Sequence, residues 1–326
     1  MKRGLSDLFS DTARAEAEAA RETNKKTKRA EEDALRTELD AEAAEAIRKI
    51  SVNTPLDIDR AVRKLTQRGV LVTRQKDKRC FDVKDTAQQC IDWELAICER
   101  LTALGIKFQW QESGGVPQTG ARRQRLMENE RLSSFRFAEV SSRCVGRLDI
   151  KLPASMNKVL DDSLCSFLPI VKAVLGEDAR LAYSGLISSF AGSWNQPWHG
   201  DGPHLFGNAT QLPPHALNVF IPLQDVTDEL GPTEFLSGSN QLSTAEALGK
   251  CLAALGEGAT PTMPGSLEAR KKCSSLGHAP VRPLLRAGRD VLIYDFRTVH
   301  RGTANRSTTN TTRRVLYLLY TKPWFS

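Results

Sequence analysis

Four short runs in the second half of this chain, residues 181–190, 217–223, 291–296 and 315–320, are apolar and rich in β-branched and aromatic side chains. Gly, Pro, Asn and Asp bound them, so each has the length of a strand and the punctuation of a turn. Such segments bury themselves by stacking into sheets. The pattern predicts a mainly β fold with flanking helices (α+β) around a double-sheet jelly-roll core. A shorter strand follows the turn Gly231-Pro232-Thr233 and ends at Ser237-Gly238-Ser239.

The first half reads differently. Helical spacing of Ile58, Val62 and Leu65 predicts a helix over 57–68, followed by a β-branched strand over 70–73. Further helices are expected over 86–104 and 157–175, and a half-buried strand over 147–152. Residues 114–125, glycine-rich and then basic, read as a loop or lid. Residues 1–50 contain no proline and are dominated by Ala, Glu, Lys and Arg. They read as a charged, exposed or frayed helix outside the main domain; a coiled coil would need leucine heptads that are missing. The expected organisation is an extension over 1–50 and a domain over 51–326. An insertion over about 241–282 carries a helix at 244–254 and then a Gly/Pro/Lys-rich loop. It serves either as a substrate gate or as surface decoration.

Composition narrows the function classes. The net charge is +7. The basic clusters, such as Lys25-Lys26-Thr27-Lys28-Arg29 and Arg270-Lys271-Lys272, have no interleaved aromatics and sit in no nucleic-acid motif, so they read as solvated surface. A basic rim would also steer an anionic small molecule. No apolar run is long enough for a bilayer span. Seven scattered cysteines without a CxxC pair read as reduced thiols, neither a disulfide framework nor a zinc site. With no secretory or peroxisomal signal in view, the cytoplasm is the expected compartment.

The residues that carry chemistry are His199 and Asp201, in Gln196-Pro197-Trp198-His199-Gly200-Asp201-Gly202, and His300 further on. Residues i and i+2 of an extended strand point to one side, so one strand could present both His199 and Asp201. Two imidazoles and a carboxylate can hold one face of an iron(II) ion and leave the other face open. A His-x-Asp triplet alone is common. More unusual is Arg313-Arg314 at the start of the apolar run 315–320, where a guanidinium fork could grip a carboxylate.

The chain resembles the phytanoyl-CoA dioxygenase family of iron(II)/2-oxoglutarate oxygenases. The matching strings are Gln196 to Gly202, Leu230-Gly231-Pro232-Thr233-Glu234-Phe235-Leu236-Ser237-Gly238-Ser239, Ala287-Gly288-Arg289-Asp290-Val291-Leu292-Ile293-Tyr294-Asp295, and His300 through Arg313. The resemblance covers most of residues 52–322. It implies a double-stranded β-helix of the cupin type, with His199, Asp201 and His300 as iron ligands. An arginine shortly after the second histidine would bind 2-oxoglutarate. Arg313 matches it best, with Arg314 as the alternative, since adjacent strand residues face opposite ways. The implied reaction uses O2 and 2-oxoglutarate to hydroxylate an unactivated C–H bond of a small organic substrate. Retention of Asp201 resembles the oxygenating rather than the halogenating branch.

Other residues carry two readings each. Thr233 and Tyr183 either add hydrogen bonds to 2-oxoglutarate or simply pack. Arg147 and Asp149 share one strand face and form an ion pair or meet substrate. Trp198 walls the pocket or belongs to the core. His204, His215 and His278 read as surface histidines. Two further functions stay open: an oxygenase acting on protein or nucleic acid, with residues 1–50 as docking surface, and a non-catalytic binding domain.

Overall fold

A strand buried on both faces reads as an unbroken apolar run, and the strongest strands of this protein are used that way. The computed structural model describes residues 40–53, 57–74, 84–108, 135–156, 167–206, 211–256 and 267–325, with scattered positions between 21 and 38. The strands are β1 (Ser51–Asn53), β2 (Val70–Arg74), β3 (Val140–Cys144), β4 (Arg147–Lys151), β5 (Arg180–Ser189), β6 (Ala216–Pro222), β7 (Thr233–Leu236), β8 (Pro280–Val281), β9 (Asp290–Asp295), β10 (His300–Gly302) and β11 (Arg313–Thr321). One eight-stranded sheet has the order β1-β2-β9-β6-β11-β5-β4-β3, and a smaller sheet the order β10-β7-β8. The fold is a sheet-rich α+β arrangement.

Alternation divides each long strand between two cores. On β9, Val291 and Ile293 face outward while Leu292 and Tyr294 face the small sheet; on β11, Leu316 and Leu318 oppose Val315 and Tyr317. The outer set is covered by α1 (Ile58–Arg68), α2 (Lys84–Ala103) and α3 (Leu168–Leu175). The inner set meets Phe235 of β7 and Val281 of β8, so it fills the space between the sheets.

The turn from α1 into β2 braces this layer. Asp57 caps α1 by accepting the Arg60 N–H at 2.9 Å, and Gly69 ends it with φ 73°. A side chain at Gly69 would meet Thr298 and Asn240, so glycine is required by conformation and by space. Instead, Thr298 Oγ1 donates to the Gly69 carbonyl at 2.8 Å and anchors the approach to β10.

Three expectations need correction. The N-terminal segment is not wholly exposed: residues 40–50 are helical, and Ala46, Ile47 and Ile50 pack onto the inner core. Among its described residues the insertion contains two α-helices, α4 (Ala245–Leu255) and α5 (Leu267–Ser275), where one helix and a loop were expected. Cys251 of α4 and Cys273 of α5 form a disulfide, whereas Cys90, Cys98 and Cys144 are free. Their 22-residue separation gave no hint of the pairing, because only the packing of α4 on α5 brings the two thiols together. The lid segment 114–125, most of the first half of the helix expected over 157–175, Cys80 and Cys165 lie outside the described residues. Among the described residues no helix is long and apolar enough to cross a membrane.

The disulfide closes a loop for which chain entropy predicts about 3 kcal/mol of stabilisation. Melting with and without dithiothreitol is therefore expected to show a lower transition for the reduced protein, and the Cys251→Ser variant should match it. Identical melts in both conditions would mean that the two thiols are not joined.

Candidate functional site

His199 and His300 face each other across an isolated antiparallel bridge: His199 N–H donates to the His300 carbonyl at 3.0 Å and His300 N–H to the His199 carbonyl at 2.8 Å. The ring centroids stand 4.5 Å apart. Nδ1 of His199 donates to the Pro197 carbonyl at 2.8 Å, and Nδ1 of His300 to the Thr298 carbonyl at 2.9 Å. A carbonyl can only accept, so each Nδ1 carries a proton, and in the neutral ring Nε2 is then the nitrogen whose lone pair can take a metal. Burial, then the neighbouring His300, hold the His199 pKa below the ordinary imidazole value, which favours that neutral form.

Asp201 does not continue a strand with His199, as the i, i+2 spacing suggested. After the bridge the chain bends, and the Phe296 carbonyl accepts the Asp201 N–H at 3.1 Å. A side chain at Gly202 would enter the Phe296 ring, so the bend can lie this close only with glycine. Asp201 Oδ2 accepts from Asn218 Nδ2 at 2.6 Å and from the Tyr294 hydroxyl at 3.0 Å, and lies 3.8 Å from His300 Nε2. Burial, then the Asp201 charge, keep the Tyr294 pKa well above the usual phenol value, so it remains a donor. The ligand-type atoms of His199, Asp201 and His300 fall within 4.8 Å of one another, so one ion can reach all three. Two oriented imidazole nitrogens and one carboxylate suit a divalent first-row metal such as iron(II).

The two adjacent arginines separate by strand parity. Arg314 takes the outer face and grips Glu94 of α2 with Nε and Nη2, both at 2.8 Å. Arg313 takes the inner face and lines the cavity of the triad. Its Nη1 donates to the Gly231 carbonyl and its Nη2 to Ser189 Oγ at 2.9 Å, while Nε is buried without a partner. The same Ser189 hydroxyl accepts Arg147 Nε at 2.8 Å. Arg147 Nη2 donates to the Thr303 carbonyl at 2.7 Å, and its Nη1 is buried and unpartnered in the same cavity. Burial lowers the pKa of both; with Arg147 beside it, Arg313 is pushed down to about 9. Among the described residues these two buried guanidiniums bond only neutral oxygens, which makes a site that an anion would complete.

The remaining expected residues scatter. Thr233, at the start of β7, lines the triad's cavity. Tyr183 stands in the neighbouring cleft, where its hydroxyl donates to Asp149 Oδ1 at 2.9 Å. Asp149 pairs with Arg143 at 2.5 Å and not with Arg147, whose guanidinium turns toward Ser189. Trp198 turns away from the cavity, stacking under Arg301 at 4.4 Å and packing on the Cys251–Cys273 cluster. His215 and His278 are buried, not on the surface. His215 is covered by Phe296 and by Phe325 of the C-terminal turn, and His278 Nδ1 bonds the Ser237 carbonyl at 3.3 Å. His204 is half-buried.

Sequence reasoning missed Asn218, Tyr294 and Ser189. The available signal was an asparagine in the middle of an apolar strand, Leu217-Asn218-Val219, where a buried amide needs a partner.

Among solved structures, the chain is similar to the non-heme alpha ketoglutarate dependent carbocyclase SnoK from nogalamycin biosynthesis, with 17% identity, 82% of this chain and 85% of that one covered, and TM-score 0.44. It is similar to AviO1 from Streptomyces viridochromogenes Tue57, with 16% identity, coverage of 83% and 97%, and TM-score 0.46. The non-heme alpha ketoglutarate dependent epimerase SnoN, also from nogalamycin biosynthesis, matches with 18% identity, coverage of 81% and 83%, and TM-score 0.45. The profile of the phytanoyl-CoA dioxygenase family matches residues 6–315, nearly the whole sequence. With that match spanning the bridge, the bend and most of the arginine pair's surroundings, the chain belongs to the phytanoyl-CoA dioxygenase family.

Proposed function

We propose that this protein is an iron(II)- and 2-oxoglutarate-dependent oxygenase that hydroxylates an unactivated C–H bond of a small organic substrate. The observation that carries the reading is the pairing, in one cavity, of an oriented His-Asp-His set with two buried arginines that have no carboxylate partner among the described residues. The balanced reaction converts substrate C–H, 2-oxoglutarate and O2 to substrate C–OH, succinate and CO2. The metal would supply the activation of O2, and 2-oxoglutarate the two electrons that the reaction needs beyond the C–H bond.

The chain's own residues do the rest. His199, Asp201 and His300 hold the metal; the Pro197 and Thr298 carbonyls fix both imidazole tautomers; Asn218 and Tyr294 hold one oxygen of Asp201 in place. Arg313 binds the far carboxylate of 2-oxoglutarate, with Arg147 beside it through their common Ser189 hydroxyl. Thr233 stands within the same cavity as a further hydrogen-bonding group. On this reading the two sheets form a double-stranded β-helix over 51–326, and residues 1–50 are an extension whose last turns dock on it.

The test is succinate formation from 2-oxoglutarate under air with iron(II), beside calorimetric binding of 2-oxoglutarate. Arg147→Gln removes one buried charge and is expected to raise the KM for 2-oxoglutarate about tenfold or more, as loss of a charged hydrogen bond implies. A protein that neither binds nor consumes 2-oxoglutarate would refute the reading.

A further inference from the structure

If this site is an oxygenase centre, the structure also indicates what it acts on; the inference rests on that reading. A second cleft, of about 730 Å3, opens beside the triad's cavity and shares Arg143, Asp201 and Tyr317 with it. A third, of about 450 Å3, shares only Asp201 with the triad's cavity and is walled by Leu242, Ala245 and Leu248 of the insertion. The second is therefore the one continuous with the proposed reaction centre, and its volume falls in the range of small-molecule sites.

Its surface has two parts. Tyr183 and Tyr317 stand 5.4 Å apart on the inner sheet face, Phe135 and Phe137 stand 5.7 Å apart, and Phe296 also lines the cleft. Phe137 is 45% exposed, an aromatic ring left largely in water at the cleft wall. Arg143 and the Tyr183 hydroxyl both spend their hydrogen bonds on the buried Asp149, so this trio is neutralised. At the rim stand Arg136 and Lys151 against a single carboxylate, Glu139, all exposed. The rim carries one cation more than carboxylates, and the aromatic surface leads inward to Asp201.

We propose that this cleft is the organic-substrate site and that it takes a flat, ring-bearing organic acid. The ring lies along Tyr183, Tyr317 and Phe137, and the acidic group remains at the Arg136–Lys151 rim. Polarised rings favour stacking on such a wall, and a net positive mouth favours an anion. No described residue of the insertion lines this cleft.

The probes are 2-naphthoate and the neutral 2-naphthylmethanol, titrated calorimetrically and without air into protein holding iron(II) and 2-oxoglutarate. Naphthoate is expected to bind more tightly than the alcohol. Lys151→Glu should weaken naphthoate by about three- to fivefold, as an exposed charge contact implies, and leave the alcohol unchanged. Phe137→Ala should weaken both about two- to tenfold through lost stacking. Ala245→Trp, which fills the third cleft, should change neither. The proposal is overturned if neither probe binds beside bound 2-oxoglutarate, or if naphthoate displaces 2-oxoglutarate and so belongs at the arginine pair. It is equally overturned if Ala245→Trp alone abolishes binding. Failure of 2-oxoglutarate itself to bind is read in a separate titration and refutes the oxygenase reading instead.

Discussion

Arg313→Met is expected to raise the melting temperature of the ligand-free protein while removing 2-oxoglutarate binding. Arg313 is 2% exposed, shares its hydrogen bonds with neutral oxygens, and sits beside a second buried guanidinium. Replacing an uncompensated buried charge by an apolar chain of similar length should stabilise the protein by about 1–3 kcal/mol. Truncating the partner of a buried carboxylate costs about 2–5 kcal/mol, so affinity for 2-oxoglutarate should fall at least about 30-fold. Arg314→Met should behave in the opposite way. It leaves Glu94, 1% exposed, with the Ser188 hydroxyl but without its cation, and breaking a buried pair costs about 3–5 kcal/mol, yet it leaves the cavity lining intact. Differential scanning fluorimetry and calorimetry on the two neighbours make the comparison. Tight 2-oxoglutarate binding by Arg313→Met, with loss in Arg314→Met, would reverse the assignment.

Metal binding should appear as stability. A ligand at one hundred times its Kd stabilises the folded state by about 2.7 kcal/mol, so saturating iron(II) or manganese(II) should raise the melting temperature, and a chelator should reverse the rise. In Asp201→Ala the rise should vanish. Tyr294→Phe keeps all three ligands but removes one of the two donors that hold Asp201 Oδ2. Loss of such an outer contact lowers metal affinity by about 10- to 100-fold. A metal-dependent rise that survives in Asp201→Ala would place the ion elsewhere.

How much of this was legible in the sequence depends on the range of the forces involved. The strands β5, β6, β9 and β11 could be read almost to their ends, because alternation and turn residues are local properties of the chain. The helix starting at Asp57 and ending at Gly69 was legible for the same reason, since its cap and stop lie within its own segment. His199, Asp201, His300 and Arg313 were singled out by motif order and family resemblance, and all four line one cavity.

What tertiary structure alone decided are pairings across long stretches of chain. Asn218 and Tyr294 meet Asp201 from 17 and 93 residues away; Arg147 and Arg313 meet at one Ser189 hydroxyl. Glu94 finds Arg314 across 220 residues, and Cys251 finds Cys273 through the packing of two helices. The same holds for the direction of Arg147, which the sequence placed on a face with Asp149 but the fold bonded to Ser189 and Thr303. The period of a strand sets which face a side chain leaves from. Which partner waits there is set by sheet order, and sheet order is chosen by the burial of the whole apolar surface at once.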